Sequence, residues 1–303
     1  MSTGPFADLP TIGELSLSEA AAKLREFDEE SLAEQLEQPS APQTFAASGW
    51  WPFRDRAWQH TAHAFGFLPI DATGGSKPIS GIGSIQADQT LKNSQLKITL
   101  NRLRIADYPG RGIHRILVDF YGRNQVPGQT EDLHFNATYR AREGERAAVI
   151  GYPIFVGINA GAEGLAFHCH TVNVKNDNDE GFLNFLEGDV FKAGLKLATS
   201  AQPAIAPLTS MALGITKAVA QRHRNVSVQD FYLGLDFTGT TMGARLAQGD
   251  YIAVQVPESM LRVWRWDDWL YDVPSGMIVA KEDPDQLIPY NYLVFGISRY
   301  DGT

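Results

Sequence analysis

Apolar and polar residues alternate with period two along two well-marked stretches of the chain. Leu133, Phe135, Ala137 and Tyr139 alternate with His134, Asn136, Thr138 and Arg140, and Phe231, Leu233, Leu235 and Phe237 alternate with Tyr232, Gly234, Asp236 and Thr238. Successive residues of a strand point to opposite faces, so each stretch predicts a strand with one face turned inward. Leu96, Ile98 and Leu100 share one parity while Leu103 and Ile105 share the other. A continuous strand there needs one extra residue near Asn101 and Arg102, which a β-bulge supplies. Further strands are expected at 113–121, 147–158, 164–174, 251–256, 263–271, 277–280 and 290–298. They are punctuated by turns such as Tyr108-Pro109-Gly110 and Val273-Pro274-Ser275-Gly276. The pattern predicts a mainly β chain, an antiparallel two-sheet sandwich over residues 95–303.

Two regions leave this rhythm. Between 180 and 224, Phe182, Phe185, Leu186, Phe191, Leu195 and Leu197, then Leu208, Met211, Leu213, Ile215 and Val219, predict two helices separated by Pro203 and Pro207, a helical-hairpin insertion. Near the amino terminus Ser16 and Glu19 fit a capping box, and Leu17, Ala20, Ala21, Leu24 and Phe27 recur at helical spacing, with Leu32 and Leu36 extending the stripe. Pro39 and Pro42 end any helix there. The chain thus divides into an N-terminal helical arm with its proline linker (1–48), an aromatic-rich connecting segment (49–94) and the β-sandwich domain. The aromatic stretch from Trp50 to Phe67 is expected to fill a core or to seal the arm against the domain.

Charge sharpens the division. Of the net −9, residues 1–49 carry −7, from nine acids against two bases, and the rest of the chain is nearly neutral. An acidic arm on a neutral body lacks the basic face of a nucleic-acid binder. The single cysteine, Cys169, excludes an intramolecular disulfide framework, and residues 1–10 do not read as a secretory signal, so a cytoplasmic protein of bacterial character is expected.

The strand at 96–107 with its acidic end, together with the acidic loop Asn176-Asp177-Asn178-Asp179-Glu180 after a later strand, is similar to a C2-like β-sandwich over about two thirds of the chain. In that family the resemblance implies clustered loop aspartates that hold calcium and dock the domain on membranes. Here Asp107 and Asp119 are the acids that an earlier loop or strand offers, and the helical insertion departs from the pattern. Aligned with an EF-hand loop, Asn176, Asn178, Glu180 and Glu187 are weak calcium candidates, since the first ligand is normally aspartate and a helix should precede the loop. No metal and no cofactor are expected.

Enzyme signatures fail one after another. His168 and His170 share a strand face and Cys169 takes the other, so neither histidine activates the thiol, and Cys169 keeps the parity of buried Leu165 and Phe167. The glycines at 74–75 and at 81–83 complete neither a Walker A nor a dinucleotide pattern, and Ser84 lacks the following glycine of a nucleophile elbow. Asp267 and Asp268, adjacent on an expected strand, diverge instead of opposing each other as glycoside hydrolysis requires. The expectation is a non-enzymatic binding or assembly protein acting through protein–protein contacts. Leu17, Leu24, Phe27, Leu32 and Leu36 of the acidic arm would bind a protein partner or a second copy, and deletion of the arm should leave the remainder folded. An alternative is a membrane-active effector: residues 197–216 are uncharged over about the 20 residues that cross a bilayer, with Leu208, Met211, Leu213 and Ile215 as the apolar contacts. A second alternative is a hydrolase whose catalytic residues come from distant segments.

Overall fold

The computed structural model describes residues 5–38, 56–72, 74–126, 129–144, 151–175, 194–197, 205–238 and 244–302. Strands dominate, arranged in three sheets. The largest has seven strands in the order β3 (Ser80–Gly81), β1 (Ala62–Pro69), β12 (Gly249–Val256), β15 (Tyr292–Arg299), β4 (Gln95–Arg104), β7 (Tyr152–Asn159) and β9 (Leu195–Lys196). The second runs β11 (Ala244–Arg245), β10 (Asn225–Asp236), β8 (Gly164–Val174), β5 (Ile113–Val126) and β6 (Gln129–Arg142). A small third sheet joins β14 (Met277–Ala280), β13 (Trp269–Asp272) and β2 (Ser76–Pro78). The long pairings are antiparallel, and the short β9 and β11 add in parallel.

The alternation read from the sequence shows up as two-faced strands. Phe135, Ala137 and Tyr139 of β6 and Phe231, Leu233 and Leu235 of β10 join one buried cluster with Ile98 and Leu100 of β4, Tyr251 of β12 and Phe295 of β15. The main core therefore lies between the two large sheets, bridged by Phe167 and Phe295, whose rings meet edge to face at 5.8 Å. Gly122 in β5 keeps that approach possible, because a Cβ there would come within 3.0 Å of the Phe155 ring. The bulge falls at Asn101: Phe295 pairs with Leu100 and Val294 with Arg102, which restores Leu103 to the inner face.

The arm is built onto this core. Helix α1 (Leu17–Glu26) starts with the Ser16–Glu19 capping box, and α2 (Glu30–Leu36) follows Asp28, whose φ of 61° breaks the helix. Ile12, Ala20, Ala21, Leu24, Phe27 and Ala33 belong to the main buried cluster, as does Trp58 of the connecting segment. Leu24 and Phe27 are thus interior to this chain, while Leu17, Leu32 and Leu36 stay half-buried at its margin. Burial of each large apolar side chain contributes about 1.5–3 kcal/mol. Deleting the arm would uncover these positions.

Two other expectations change. Within 263–271 only Trp269–Asp272 is a strand; Trp266–Asp268 forms a 3-10 turn in which Asp268 accepts from Arg265 at 2.9 Å. The spacing of Trp264, Trp266 and Trp269 breaks period two, and Trp264 stacks on Trp269 with ring centroids 6.2 Å apart. In the region expected to be a helical hairpin, Leu195 lies in β9, and a single helix, α3 (Ile205–Ala220), is found among the described residues. Pro207 sits in its first turn, where the absent amide has no helical acceptor to lose. Residues 176–193, including the calcium candidates Asn176, Asn178, Glu180 and Glu187, lie outside the described residues. No described helix is long and apolar enough to cross a membrane. Instead α3 lays Ile215 and Val219 on Leu117, Val172 and Val174, on the outer face of the five-stranded sheet.

A buried amide pair locks the two large sheets together. Asn291 accepts from the amides of Ala106 (2.8 Å) and Asp107 (3.0 Å) and donates to Asp107 O and Gln255 Oε1. Gln255, on β12, donates in turn to His60 O and to Val228 O of β10. Each buried polar group left unmatched costs about 1–3 kcal/mol, so Asn291→Leu, which strands two amides, the Asp107 carbonyl and Gln255 Oε1, should destabilise the protein by at least about 3 kcal/mol in urea unfolding. A loss under 1 kcal/mol would show that water replaces these bonds.

Candidate functional site

The outer face of the five-stranded sheet carries a compact group of ionisable residues. Strand register places Asn136, Asp119, His170 and Asp230 side by side across β6, β5, β8 and β10, and sets His134, Tyr121, His168 and Tyr232 in the next row. Alternation sends all of these outward, opposite the core-facing Phe135, Val118, Cys169 and Phe231. Yet most are buried: Asp119, Asn136 and His170 have no exposed surface, and His134 and His168 almost none. The cover is made of α3 and the segment that contains Phe6 and Leu9, both buried, with Leu9 and Phe6 packed on Tyr121.

Two hydrogen-bonded groups share this face. In the first, Asn136 Nδ2 donates to Thr216 Oγ1 of α3 (2.6 Å), Thr216 Oγ1 donates to Asp119 Oδ2 (2.7 Å), and His134 Nδ1 lies 3.1 Å from Asp119 Oδ1. In the second, Asp230 touches His168 Nε2 through one oxygen and stands 3.8 Å from His170 Nδ1 through the other, while His170 Nε2 lies 2.9 Å from Ser227 Oγ. Burial pushes the Asp230 carboxyl up, but its hydrogen bond with His168 and the nearness of His170 outweigh this and hold it at about 2. Asp230 is therefore an anion at neutral pH.

Phe6 ties the groups together. Its ring stacks on His170 (centroids 4.7 Å apart, 22° between planes) and meets His168 (4.8 Å) and His134 (5.8 Å) edge to face. Such ring pairs add about 0.5–1.5 kcal/mol each beyond the area they bury. Asp8, two residues on, pairs with Lys217 of α3 at 2.9 Å. His170 Nδ1 and Asn136 Oδ1 remain buried without a hydrogen bond.

The strand face shared by His168 and His170, and the inward Cys169, are as the sequence implied; burial pushes the Cys169 thiol well above its ordinary value, which leaves it inert. Asp119, paired in the sequence reading with a calcium loop, instead faces His134 and Thr216 in mid-strand. His134, Asp230, Ser227, Thr216 and Phe6 were not singled out. One signal was present: Val172 and Val174 continue the face of His168 and His170, so that face is not solvated. Of the apolar α3 residues, Met211 is exposed, Leu213 is partly buried beside Phe6 and Ile215 is buried; the side chain of Leu208 is outside the described residues. Among the described residues no three histidine, cysteine or acidic side chains converge to hold a metal ion. No family model, curated protein or solved structure matches the chain.

The depressed Asp230 pKa sets a sign. A carboxyl held at about 2 against an ordinary 3.8 stabilises the folded state above pH 4 and loses that contribution as pH falls from 4 towards 2. Asp230→Asn should lose up to about 2 kcal/mol at pH 7 and show a shallower decline between pH 4 and 2 than the wild type. Urea midpoints measured across that range check it; parallel curves for the two proteins would deny Asp230 this role.

Proposed function

We propose that this is a non-enzymatic, cytoplasmic binding or assembly protein that acts through protein–protein contacts, with the acidic arm as its contact surface and a C2-like sandwich with a helical insertion as its scaffold. One observation carries the reading: eight of the arm's nine acids fall into two sets, the ninth, Glu14, bonding Thr11 within the arm. Asp8, Glu26, Asp28 and Glu29 pair with Lys217, His223, Lys175, Arg224 and Arg111 of the body. Glu19, Glu30, Glu34 and Glu37 are exposed and make no pair with the body among the described residues, Glu30 and Glu37 pairing with Arg25 of the arm itself; they lie on or at the end of the same two helices as half-buried Leu17, Leu32 and Leu36. An acidic surface with apolar positions beside it supports recognition of a protein with a basic surface, since charge complementarity guides encounter and apolar anchors hold the complex.

Reversing Glu30 and Glu34 to lysine leaves the buried face of the arm untouched and breaks one exposed pair, Glu30 with Arg25, of a kind worth roughly 0–1 kcal/mol. The double variant should keep its thermal midpoint, and should lose at least ten-fold in partner capture, or its self-association, at low salt. Light scattering after size exclusion and affinity capture at two salt concentrations measure this. Unchanged capture and unchanged mass would end the arm-surface reading.

A second reading, hydrolysis, is supported by the contact of His170 with both Ser227 and Asp230. It has two obstacles: the His170–Asp230 distance exceeds a hydrogen bond, and Ser227 is buried. Under that reading a fluorophosphonate probe labels Ser227 in the wild type and not in Ser227→Ala. Under the binding reading neither is labelled.

A further inference from the structure

We propose that the histidine-lined recess under Phe6 is a peptide-binding site filled in cis by the chain's own Phe6-Ala7-Asp8-Leu9 segment, and that its external ligand is a partner peptide of the same chemistry: an aromatic residue, an acid two positions on and an aliphatic residue three positions on. The inference rests on the protein-binding reading and gives it a second, separate contact site.

The recess is specific for a ring. Three imidazoles contact one phenyl group from different directions, His170 by its face and His168 and His134 edge to face. A covered sheet face needs none of this; apolar residues of similar size there would be at least as stabilising, because buried charges are expensive to desolvate. The neighbouring row under α3 shows the simpler solution, with Leu117 and Val172 against Ile215 and Val219. Beside the ring, by contrast, lie three imidazoles, with Asp119 against His134 and Asp230 against His168, and on the same face His170 Nδ1 and Asn136 Oδ1 are buried without a hydrogen bond. A built polar recess that its occupant does not fully satisfy is what an exchangeable occupant leaves behind.

The resident segment also has the form of a short ligand. Phe6 and Leu9 are its buried anchors, joined by a turn in which the Leu9 amide donates to Phe6 O at 2.8 Å. Asp8 is its electrostatic contact, reaching Lys217 at the exposed rim. Two apolar anchors around one acid read the recess and its basic rim together, and an incoming peptide needs the same three features to compete.

The test uses the full chain and a fluorescein-labelled peptide of residues 5–12 as the probe, with binding followed by polarisation. Phe6→Ala, which vacates the recess, should bind the probe saturably and at least ten-fold more tightly than the wild type, whose own segment competes. A probe with alanine for phenylalanine should not bind, and Lys217→Glu in the Phe6→Ala chain should weaken binding several-fold. A folded Phe6→Ala chain that ignores the probe, or a wild type that binds it equally well, overturns the proposal. If Phe6→Ala does not fold, Phe6→Leu takes its place; failure of both to fold makes Phe6 a core residue and also overturns it. A wild-type dimer that Phe6→Ala dissolves would assign the recess to a second copy and overturn the assignment to a separate partner. Loss of probe binding with the Glu30 and Glu34 result intact rejects this site alone and leaves the arm surface standing.

Discussion

A sheet has two faces, and in this protein the long five-stranded one must have both covered. Its inner face meets the seven-stranded sheet. Among the described residues its outer face is closed by two pieces distant in sequence, the Phe6–Leu9 segment and α3. Much else follows from that division of labour. The arm must lie across the body to bring Phe6 over β8, so its acids need basic partners there, and Lys175, Lys217 and Arg224 provide them. Exposed ion pairs of this kind are individually weak, roughly 0–1 kcal/mol each; the buried Leu24 and Phe27 hold the arm, and the charges set its position.

The cover is of two kinds. At Ile215 and Val219 of α3 it is apolar on apolar, the ordinary means of protecting a sheet, while Thr216 of the same helix bonds Asp119 and Asn136. Under Phe6 it is a single ring on three histidines, two of which meet aspartates. The contrast argues that stability alone did not choose the second set, since ionised groups lose hydration on burial and regain it only partly from their partners.

What could be read in the sequence was whatever depends on neighbours a few residues apart. The alternation around Phe135 and Phe231, the bulge at Asn101 and the Ser16–Glu19 cap are local and appear in the structure where the pattern placed them. The inward Cys169 followed from parity alone. The order of strands was not legible, because β15 pairs with both β4 and β12 across large separations that no local pattern encodes. Nor was the site: alternation marks His134 and Asn136 as outward, and outward reads as solvated unless the cover is known. Asp230 becomes meaningful only once β10 is set beside β8 in register. The tryptophans at 264–269 misled because bulky aromatics favour strands by composition, whereas their unequal spacing belongs to a turn.

The placement of Phe6 has a consequence for the birth of the molecule. Its docking site is made from β5, β6 and β8, so the arm leaves the ribosome long before the surface that will receive it has been synthesised. At typical elongation rates the wait is on the order of ten seconds or more, far longer than local helices need to form. Through that interval the arm has no body to pack against, and the apolar stripe of α1 with Phe27 is open to whatever shares the ribosomal exit. Its many acids then have a use that the finished structure hides, keeping an unaccompanied segment soluble until its own body arrives.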